Sequence, residues 1–163
     1  MRSGFNCRGS YHARPRPRRP PLHYDDSVAS PVTDAFLASL KRCLAAPGFL
    51  PGFYDRFLAS SDEVREKFEG VDMRRQARAL EDSLYVVAVA VQGEEGSLAR
   101  SELPRIAERH SRRDRDVRPE LYDLWVRCLV DTAREHDPQW SEDVAAAWRE
   151  TLAFGVEYMR RRY

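Results

Sequence analysis

The sequence predicts an all-α domain of six or seven helices, preceded by a disordered basic arm. Apolar residues recur at helical spacing from Ser30 onward, and no segment alternates apolar and polar residues as an amphipathic strand does. Proline and glycine interrupt this pattern at intervals, which divides it into separate helices. We therefore expect one helical domain over residues 29–163, long enough to bury a sizeable core, and an arm over residues 1–28.

The arm is set apart by its charge and its prolines. Residues 1–24 hold six arginines and no acidic residue, and the run RPRPRRPP spans residues 14–21. Because proline lacks an amide hydrogen and fixes a backbone torsion, this run favours neither helix nor sheet. The remaining 21 basic and 26 acidic residues give the rest of the chain a net charge of about −5. A non-folding extension is the simpler interpretation of the arm. Its arginines would also suit nucleic acid or a membrane surface, whereas we expect no nucleic-acid binding by the folded domain.

Composition points to a cytoplasmic protein with no membrane partner. The three cysteines are widely separated, which argues against a disulfide framework and fits a reducing compartment. The longest apolar run, residues 84–91, is too short to cross a bilayer, and no signal-peptide pattern opens the sequence. The sequence leaves the oligomeric state open.

The first two helices have clear limits. Ser30 before Pro31 is a typical helix start, because proline fits the first turn, and the Pro47–Gly48 pair ends this helix. The helical pattern restarts over residues 49–58. The apolar positions of the two helices are Val32, Phe36, Leu37, Leu40, Leu44, Phe53, Tyr54, Phe57 and Leu58.

A short helix and the longest apolar stripe follow. Ser60 and Glu63 have the spacing of a capping box, which predicts a short helix that ends near Phe68. Asp72 is a suitable N-cap for the next helix. The stripe of that helix consists of Met73, Ala77, Leu80, Leu84, Val87, Ala88 and Val91, and the residues expected to end it are Gly93 and Gly96.

Three further helices complete the predicted domain. A shorter helix ends at His110, polar residues 111–118 form a loop before Pro119, and Pro138 separates the last two helices. Ser141 is the expected N-cap of the final helix. The apolar positions are Leu103, Ile106, Ala107, Leu121, Trp125, Cys128, Leu129, Thr132, Val144, Trp148, Leu152, Gly155 and Met159.

His110 is the candidate for chemistry. It follows Leu103 by seven residues and Ile106 by four, so its ring lies on the apolar face of its helix. A neutral imidazole there can offer one nitrogen lone pair to a buried partner while its other N–H bonds a backbone carbonyl one turn earlier. A buried histidine with no ligand role fits the same position. The other three histidines have no companion at chelating spacing, so we expect no zinc site.

Two segments in the first half of the chain resemble parts of the bacterial single-domain globins. FYDRFLASSDEVREKF, residues 53–68, resembles the second helix and the corner after it, and Tyr54 precedes Phe68 by the fourteen residues typical of the family. DMRRQARALEDSL, residues 72–84, resembles the start of the distal helix and begins at Asp72. Gln76 stands there at the ligand-facing position, and Leu80 follows one turn later.

Two more segments continue the resemblance in the same order. IAERHSRRDRDVRPELYDLWVRCL, residues 106–129, resembles the proximal helix, its loop and the next helix, with His110, Val117 and Tyr122 at matching positions. AWRE, residues 147–150, is similar to a stretch of the final globin helix. The resemblance covers about residues 31–160.

The resemblance implies a globin fold around haem b. The site residues it implies are His110 as the axial ligand to iron, Phe68, Leu80, Val117 and Tyr122 against the cofactor, and Tyr54 and Gln76 as hydrogen-bond donors to a diatomic gas. No C-x-x-C-H motif occurs, so the cofactor would be held without a covalent bond. Arg109, Arg112 and Arg113 suit the haem propionates, although a solvated run of charges explains them equally well.

Three departures from the family pattern bear on these assignments. The eight residues from Phe68 to Gln76 are about two fewer than usual, which leaves Arg75 or Arg78 as alternatives for the ligand-facing position. The stretch from His110 to the matched tyrosine at 122 is about two residues longer than usual, so the loop contacts stay open. An aspartate at position 62 stands where proline is common.

The function that the resemblance implies is reversible binding of dioxygen or another diatomic gas, for transport, storage or sensing. Nitric oxide dioxygenase activity is the enzymatic alternative. Because no G-x-G-x-x-G or flavin-like segment occurs, such an enzyme would need a separate reductase as its partner. A haem-free, globin-like helical adaptor is the third possibility.

Overall fold

The structure, a computed structural model, describes residues 30–92 and 98–163. Within these two ranges it consists of seven helices and no strand, which confirms the predicted all-α class. The helices are α1 (Pro31–Ala45), α2 (Phe49–Ala59), α3 (Asp62–Lys67), α4 (Met73–Val91), α5 (Leu98–His110), α6 (Leu121–His136) and α7 (Glu142–Arg160). The predicted arm over residues 1–28 and the helix-ending glycines Gly93 and Gly96 lie outside the described residues. Among the described helices, none combines the length and apolar character that a bilayer crossing requires.

Short polar residues start two of the helices as expected. The Asp72 carboxylate accepts hydrogen bonds from the backbone N–H groups of Arg74 and Arg75, at 3.0 and 3.2 Å. The Ser141 hydroxyl accepts one from the N–H of Val144, at 3.2 Å. These three bonds satisfy donors that have no partner inside the helix, so the two caps fix where α4 and α7 begin.

The predicted capping box at Ser60 and Glu63 is wrong. Ser61 is the N-cap of α3 and makes no side-chain capping bond, and the Ser60 hydroxyl instead donates to the Phe57 carbonyl at 2.6 Å. Glu63 pairs with the guanidinium of Arg118, 55 residues away. The guanidinium offers Glu63 two parallel charge-assisted hydrogen bonds, whereas a capping box would give its carboxylate a bond to one backbone N–H.

The helices pack around two clusters of buried side chains. α1 lies on α7, α2 on α6, and α4 on both α5 and α7. The larger cluster contains the fully buried rings of Phe36, Phe49, Phe53 and Trp148. The smaller cluster consists of Val87, Leu103, Ala107, Tyr122, Val156 and Met159. The core is thus divided into two parts, and Val117 packs against both of them.

A buried polar network joins α1 to the corner between α6 and α7. Asp137 has a fully buried side chain and accepts two hydrogen bonds from the guanidinium of Arg42, at 2.5 and 2.7 Å. The Ser39 hydroxyl donates to the same carboxylate at 2.5 Å and accepts from the indole N–H of Trp148 at 2.9 Å. Since the carboxylate accepts three hydrogen bonds from these side chains, its charge is compensated despite its burial.

The approach of α7 to α4 requires a glycine. A Cβ atom added at Gly155 would lie 2.9 and 3.2 Å from the two γ-methyl carbons of Val87. We expect Gly155→Ala to lower the free energy of unfolding by about 1–2 kcal/mol, because this overlap outweighs the better helix propensity of alanine. Chemical denaturation measures the change.

A second helical glycine provides the control for this prediction. At Gly52 an added Cβ would meet its nearest neighbours at 3.6 and 3.7 Å, which is ordinary contact. Gly52→Ala should therefore leave the protein as stable as before or more so. The substitution Val87→Ala should lower the free energy of unfolding less in the Gly155→Ala background than in the parent, because it removes the overlapping methyl groups. Equal losses in the two backgrounds would contradict the contact.

Candidate functional site

His110 is the last residue of α5 and lies half-buried. Its Nδ1 lies 2.7 Å from the carbonyl oxygen of Ile106, one turn earlier. Because a carbonyl only accepts, Nδ1 must carry the hydrogen, and a neutral ring then keeps its lone pair on Nε2. Nε2 has no hydrogen-bond partner among the described residues. The hydrogen bond at Nδ1 therefore orients the ring, and the lone pair of Nε2 is available to another partner.

The surroundings of His110 favour the neutral ring. Burial lowers the pKa of His110, and the positive charge of Arg115 acts in the same direction. The hydrogen bond to Ile106 raises it, but less than burial lowers it. At pH 7 the ring is thus an electron-pair donor rather than a cation.

The loop after α5 folds back over the end of that helix. The N–H of Val117 donates to the carbonyl of His110 at 3.0 Å, and the N–H of Asp116 donates to that of Ser111 at 2.9 Å. Asp116 has a φ of +49°, the left-handed conformation that aspartate tolerates better than most residues. This turn reverses the chain within the loop, and Val117 after it packs against both core clusters.

Tyr122 lies near His110. It belongs to the first turn of α6, and its ring centroid is 6.5 Å from that of His110. Burial raises the pKa of Tyr122 to about 12, against the opposing effect of Arg160. The hydroxyl therefore keeps its proton at neutral pH, and it has no hydrogen-bond partner within the described residues.

Tyr54 and Phe68 contact each other at the larger cluster. Their ring centroids are 5.9 Å apart, and Phe68 also contacts Phe57 with centroids 6.0 Å apart. The Tyr54 hydroxyl donates to the backbone carbonyl of Gln76 at 3.2 Å. Burial raises the pKa of Tyr54 to about 12, so the hydroxyl keeps its proton at neutral pH. The hydroxyl that the family resemblance assigns to a gas ligand is thus bonded to the backbone in this structure.

Gln76 is the inward residue among the three candidates for the ligand-facing position. It is half-buried, whereas both alternatives, Arg75 and Arg78, are exposed. The amide of its side chain has no hydrogen-bond partner in the described part of the chain. Leu80 follows one turn later and is buried in the larger cluster.

The predicted site residues therefore fall into two groups on different clusters. Tyr54, Phe68 and Leu80 belong to or pack on the larger one, and Tyr122 belongs to the smaller one. Val117 packs against both clusters. His110 lies near the second group, since its ring centroid is 6.5 Å from that of Tyr122.

The three arginines that suit the haem propionates, Arg109, Arg112 and Arg113, differ in their surroundings. The Arg112 guanidinium lies 4.8 Å from the ring centroid of Tyr163, whose hydroxyl donates to Asp116 at 2.6 Å. Arg109 and Arg113 are exposed, and neither side chain has a hydrogen-bond or ion-pair partner in residues 30–92 and 98–163. In those same ranges, no three His, Cys, Asp or Glu side chains group together to hold a metal ion.

Two contacts that the sequence did not reveal tie α3 to the loop after α5. Glu63 accepts two hydrogen bonds from Arg118, and the one from Nε measures 2.8 Å. The Lys67 amine donates to the carbonyl of Arg115 at 3.2 Å. The partners are 55 and 48 residues apart, so no local pattern could reveal them.

Comparisons with known proteins agree with this geometry. The globin family model matches residues 52–158. A solved structure from Pseudomonas aeruginosa PAO1, described as structurally highly homologous to a human hemoglobin, shares 34% sequence identity with this chain. The match covers 81% of this chain and 98% of that one, with a TM-score of 0.76. No curated protein matches the chain significantly.

Proposed function

Since this chain belongs to the globin family, we propose that it holds haem b without a covalent bond and binds dioxygen, or another diatomic gas, reversibly. The observation that carries the proposal is the state of His110. Its Nδ1–H is fixed by the Ile106 carbonyl at 2.7 Å, and its Nε2 has no partner among the described residues. An oriented, neutral imidazole with a free lone pair is what an axial ligand to iron requires.

The residues around His110 fit a porphyrin. In this proposal Val117 and Tyr122 would cover the haem on the side of the imidazole, and Phe68 and Leu80, at the larger cluster, would cover its other face. When bound, the haem supplies the iron at which a diatomic gas is held reversibly. The imidazole anchors the cofactor, and the apolar side chains keep water away from its faces.

Two donors on the opposite side would act on the gas. The Tyr54 hydroxyl keeps its proton at neutral pH, and the Gln76 amide has no competing partner within the described residues. A hydroxyl bond of 3.2 Å is long, since O–H···O bonds cluster near 2.7–2.8 Å, so the Gln76 carbonyl holds Tyr54 only weakly. We infer that Tyr54 exchanges this acceptor for the gas and that Gln76 adds a second donor.

An absorption spectrum of the purified protein tests the proposal. Ferric, ferrous and ferrous–CO spectra should each show an intense Soret band, and the ferrous band should shift when CO is added. The pyridine haemochrome spectrum of the extracted pigment should identify haem b, and acidified butanone should extract it because no covalent bond holds it. A protein that is folded and helical by circular dichroism, yet takes up no added haemin, would instead be the helical adaptor.

Tyr54→Phe should speed dissociation of dioxygen by about two- to ten-fold. One hydrogen bond contributes a net ~0.5–1.5 kcal/mol, and the variant loses only that bond. Stopped-flow displacement of dioxygen by CO measures the rate. Tyr85→Phe is the matched control, since Tyr85 is an exposed tyrosine on α4. Equal rates in both variants and the parent would show that Tyr54 contributes only packing.

A further inference from the structure

A cleft between α6 and α7 lies apart from the residues assigned to the haem. Its volume is about 490 Å³, within the range of small-ligand sites. Four apolar side chains line it, two from each helix: Val126, Val130, Ala153 and Val156. None of the seven predicted haem-site or gas-site residues lines it. The cleft therefore offers apolar surface that the proposed globin function does not use.

Most of the charged groups in this cleft already have partners. Arg160 donates to the Asp123 carboxylate at 2.7 Å, across the two helices. Glu157 accepts from Arg161, the residue just past the end of α7, at 2.8 Å. These pairs balance both acidic side chains that line the cleft.

Two arginines of the cleft have no such partner. Arg127 comes from α6 and Arg149 from α7, so one stands on each side. Both are exposed, and neither has a hydrogen-bond or ion-pair partner within residues 30–92 and 98–163. The cleft thus combines an apolar floor with two unpaired guanidinium groups, and its surplus charge is positive.

We propose that this cleft binds a small amphipathic anion with an acyl-chain-like body. The guanidinium groups of Arg127 and Arg149 would hold the carboxylate, since a guanidinium matches its geometry with two parallel N–H groups. The apolar chain would cover the valine and alanine side chains between the helices, where removal of apolar surface from water drives binding. A fatty acid of medium chain length has this chemistry.

Decanoate is the probe, used below its micelle-forming concentration with the haem-loaded full chain. Isothermal titration calorimetry should show saturable binding of one decanoate per chain. Decan-1-ol should bind more weakly, because it lacks the anion, and decyltrimethylammonium should not bind, because its charge is repelled. Equal binding of decanoate and decyltrimethylammonium would overturn the assignment of the arginines.

Variants locate the binding. Arg127→Gln and Arg149→Gln should each weaken decanoate binding by about five- to ten-fold, the effect of one partly exposed charge-assisted contact. Ala153→Phe should abolish it by filling the floor, and the exposed position of Ala153 spares the core. Arg134→Gln is the matched control, since Arg134 is an exposed arginine on α6 that does not line the cleft. Unchanged affinity in all variants would refute the proposal.

Two further measurements separate other occupants. A decanoate titration that shifts the Soret band in proportion to the heat released would place the ligand at the haem instead. Sedimentation velocity would reveal a dimer that Ala153→Phe dissociates, with no decanoate binding to the parent protein. Either result would overturn the proposed site, and the second would identify the cleft as an interface between copies.

Discussion

His110→Gly is expected to lose its haem during purification, retaining less than about a tenth of the parent occupancy. The proposed pocket supplies a single protein ligand to iron, so apolar contacts alone would hold the cofactor. The Soret absorbance per chain measures occupancy, and far-ultraviolet circular dichroism shows whether the helices remain. Adding imidazole to the variant during haemin reconstitution should restore a complex that retains its haem, because free imidazole can occupy the vacated position.

The control for this prediction is His136→Gln. His136 has the same local geometry, with Nδ1 2.9 Å from the carbonyl oxygen of Thr132 one turn earlier. Its Nε2, however, lies against Gly48, where an added Cβ would be 3.1 Å away, and its ring packs on Phe49. This variant should keep its haem. An unchanged ferrous–CO spectrum in His110→Gly would refute the axial assignment.

Arg42→Met is expected to lower the free energy of unfolding by about 3 kcal/mol at pH 7. The variant keeps the apolar stem of Arg42 but leaves the fully buried Asp137 carboxylate without its cation. Removing one member of a buried ion pair costs ~3–5 kcal/mol, and the partial exposure of Arg42 places the effect at the lower end. Urea denaturation followed by circular dichroism measures it.

An exposed ion pair provides the comparison. Arg65 pairs with Asp62 on α3, and both side chains are more than half exposed. Arg65→Met should therefore change the unfolding free energy by less than about 1 kcal/mol. Equal losses in the two methionine variants would show that burial of Asp137 adds nothing.

Acid should remove the contribution of Asp137. Burial by itself raises the pKa of this carboxyl, but hydrogen bonds from Arg42, Ser39 and the N–H of Gln139 outweigh it, so the pKa falls below its ordinary value. A lowered folded-state pKa stabilises the protein above the ordinary carboxyl pKa, and this stabilisation is lost as the pH falls through the lowered value. The parent should thus exceed Asp137→Asn in stability by a constant amount above about pH 5, and the gap should narrow in more acidic solution.

Features that depend on neighbouring residues were predictable from the sequence. Asp72 and Ser141 cap helices through residues two or three positions ahead, so their spacing sufficed. The hydrogen bond from His110 to Ile106 also follows from helix geometry alone. These contacts need no knowledge of the tertiary structure.

Features set by distant partners were not predictable in this way. Glu63 has capping-box spacing, yet its carboxylate binds Arg118 because the fold brings the loop after α5 beside α3. The apolar pattern placed Gly155 on the inner face of its helix but could not reveal that Val87 excludes a larger residue there. The direction of the Tyr54 hydroxyl likewise depends on where α4 lies relative to α2.

The two ends of α6 are held in different ways. Its sixteen residues span about 24 Å, with Tyr122 and the candidate site at the start and Asp137 just past the end. The far end is held by the network around the buried Asp137 carboxylate. The near end is held by the exposed ion pair Glu63–Arg118, which salt screens, and by the exposed hydrogen bond from Tyr163 to Asp116. Local opening should therefore begin around α5 and its loop while the Asp137 end stays closed. Hydrogen exchange would record this as a gradient along α6, and a cofactor could enter or leave without global unfolding.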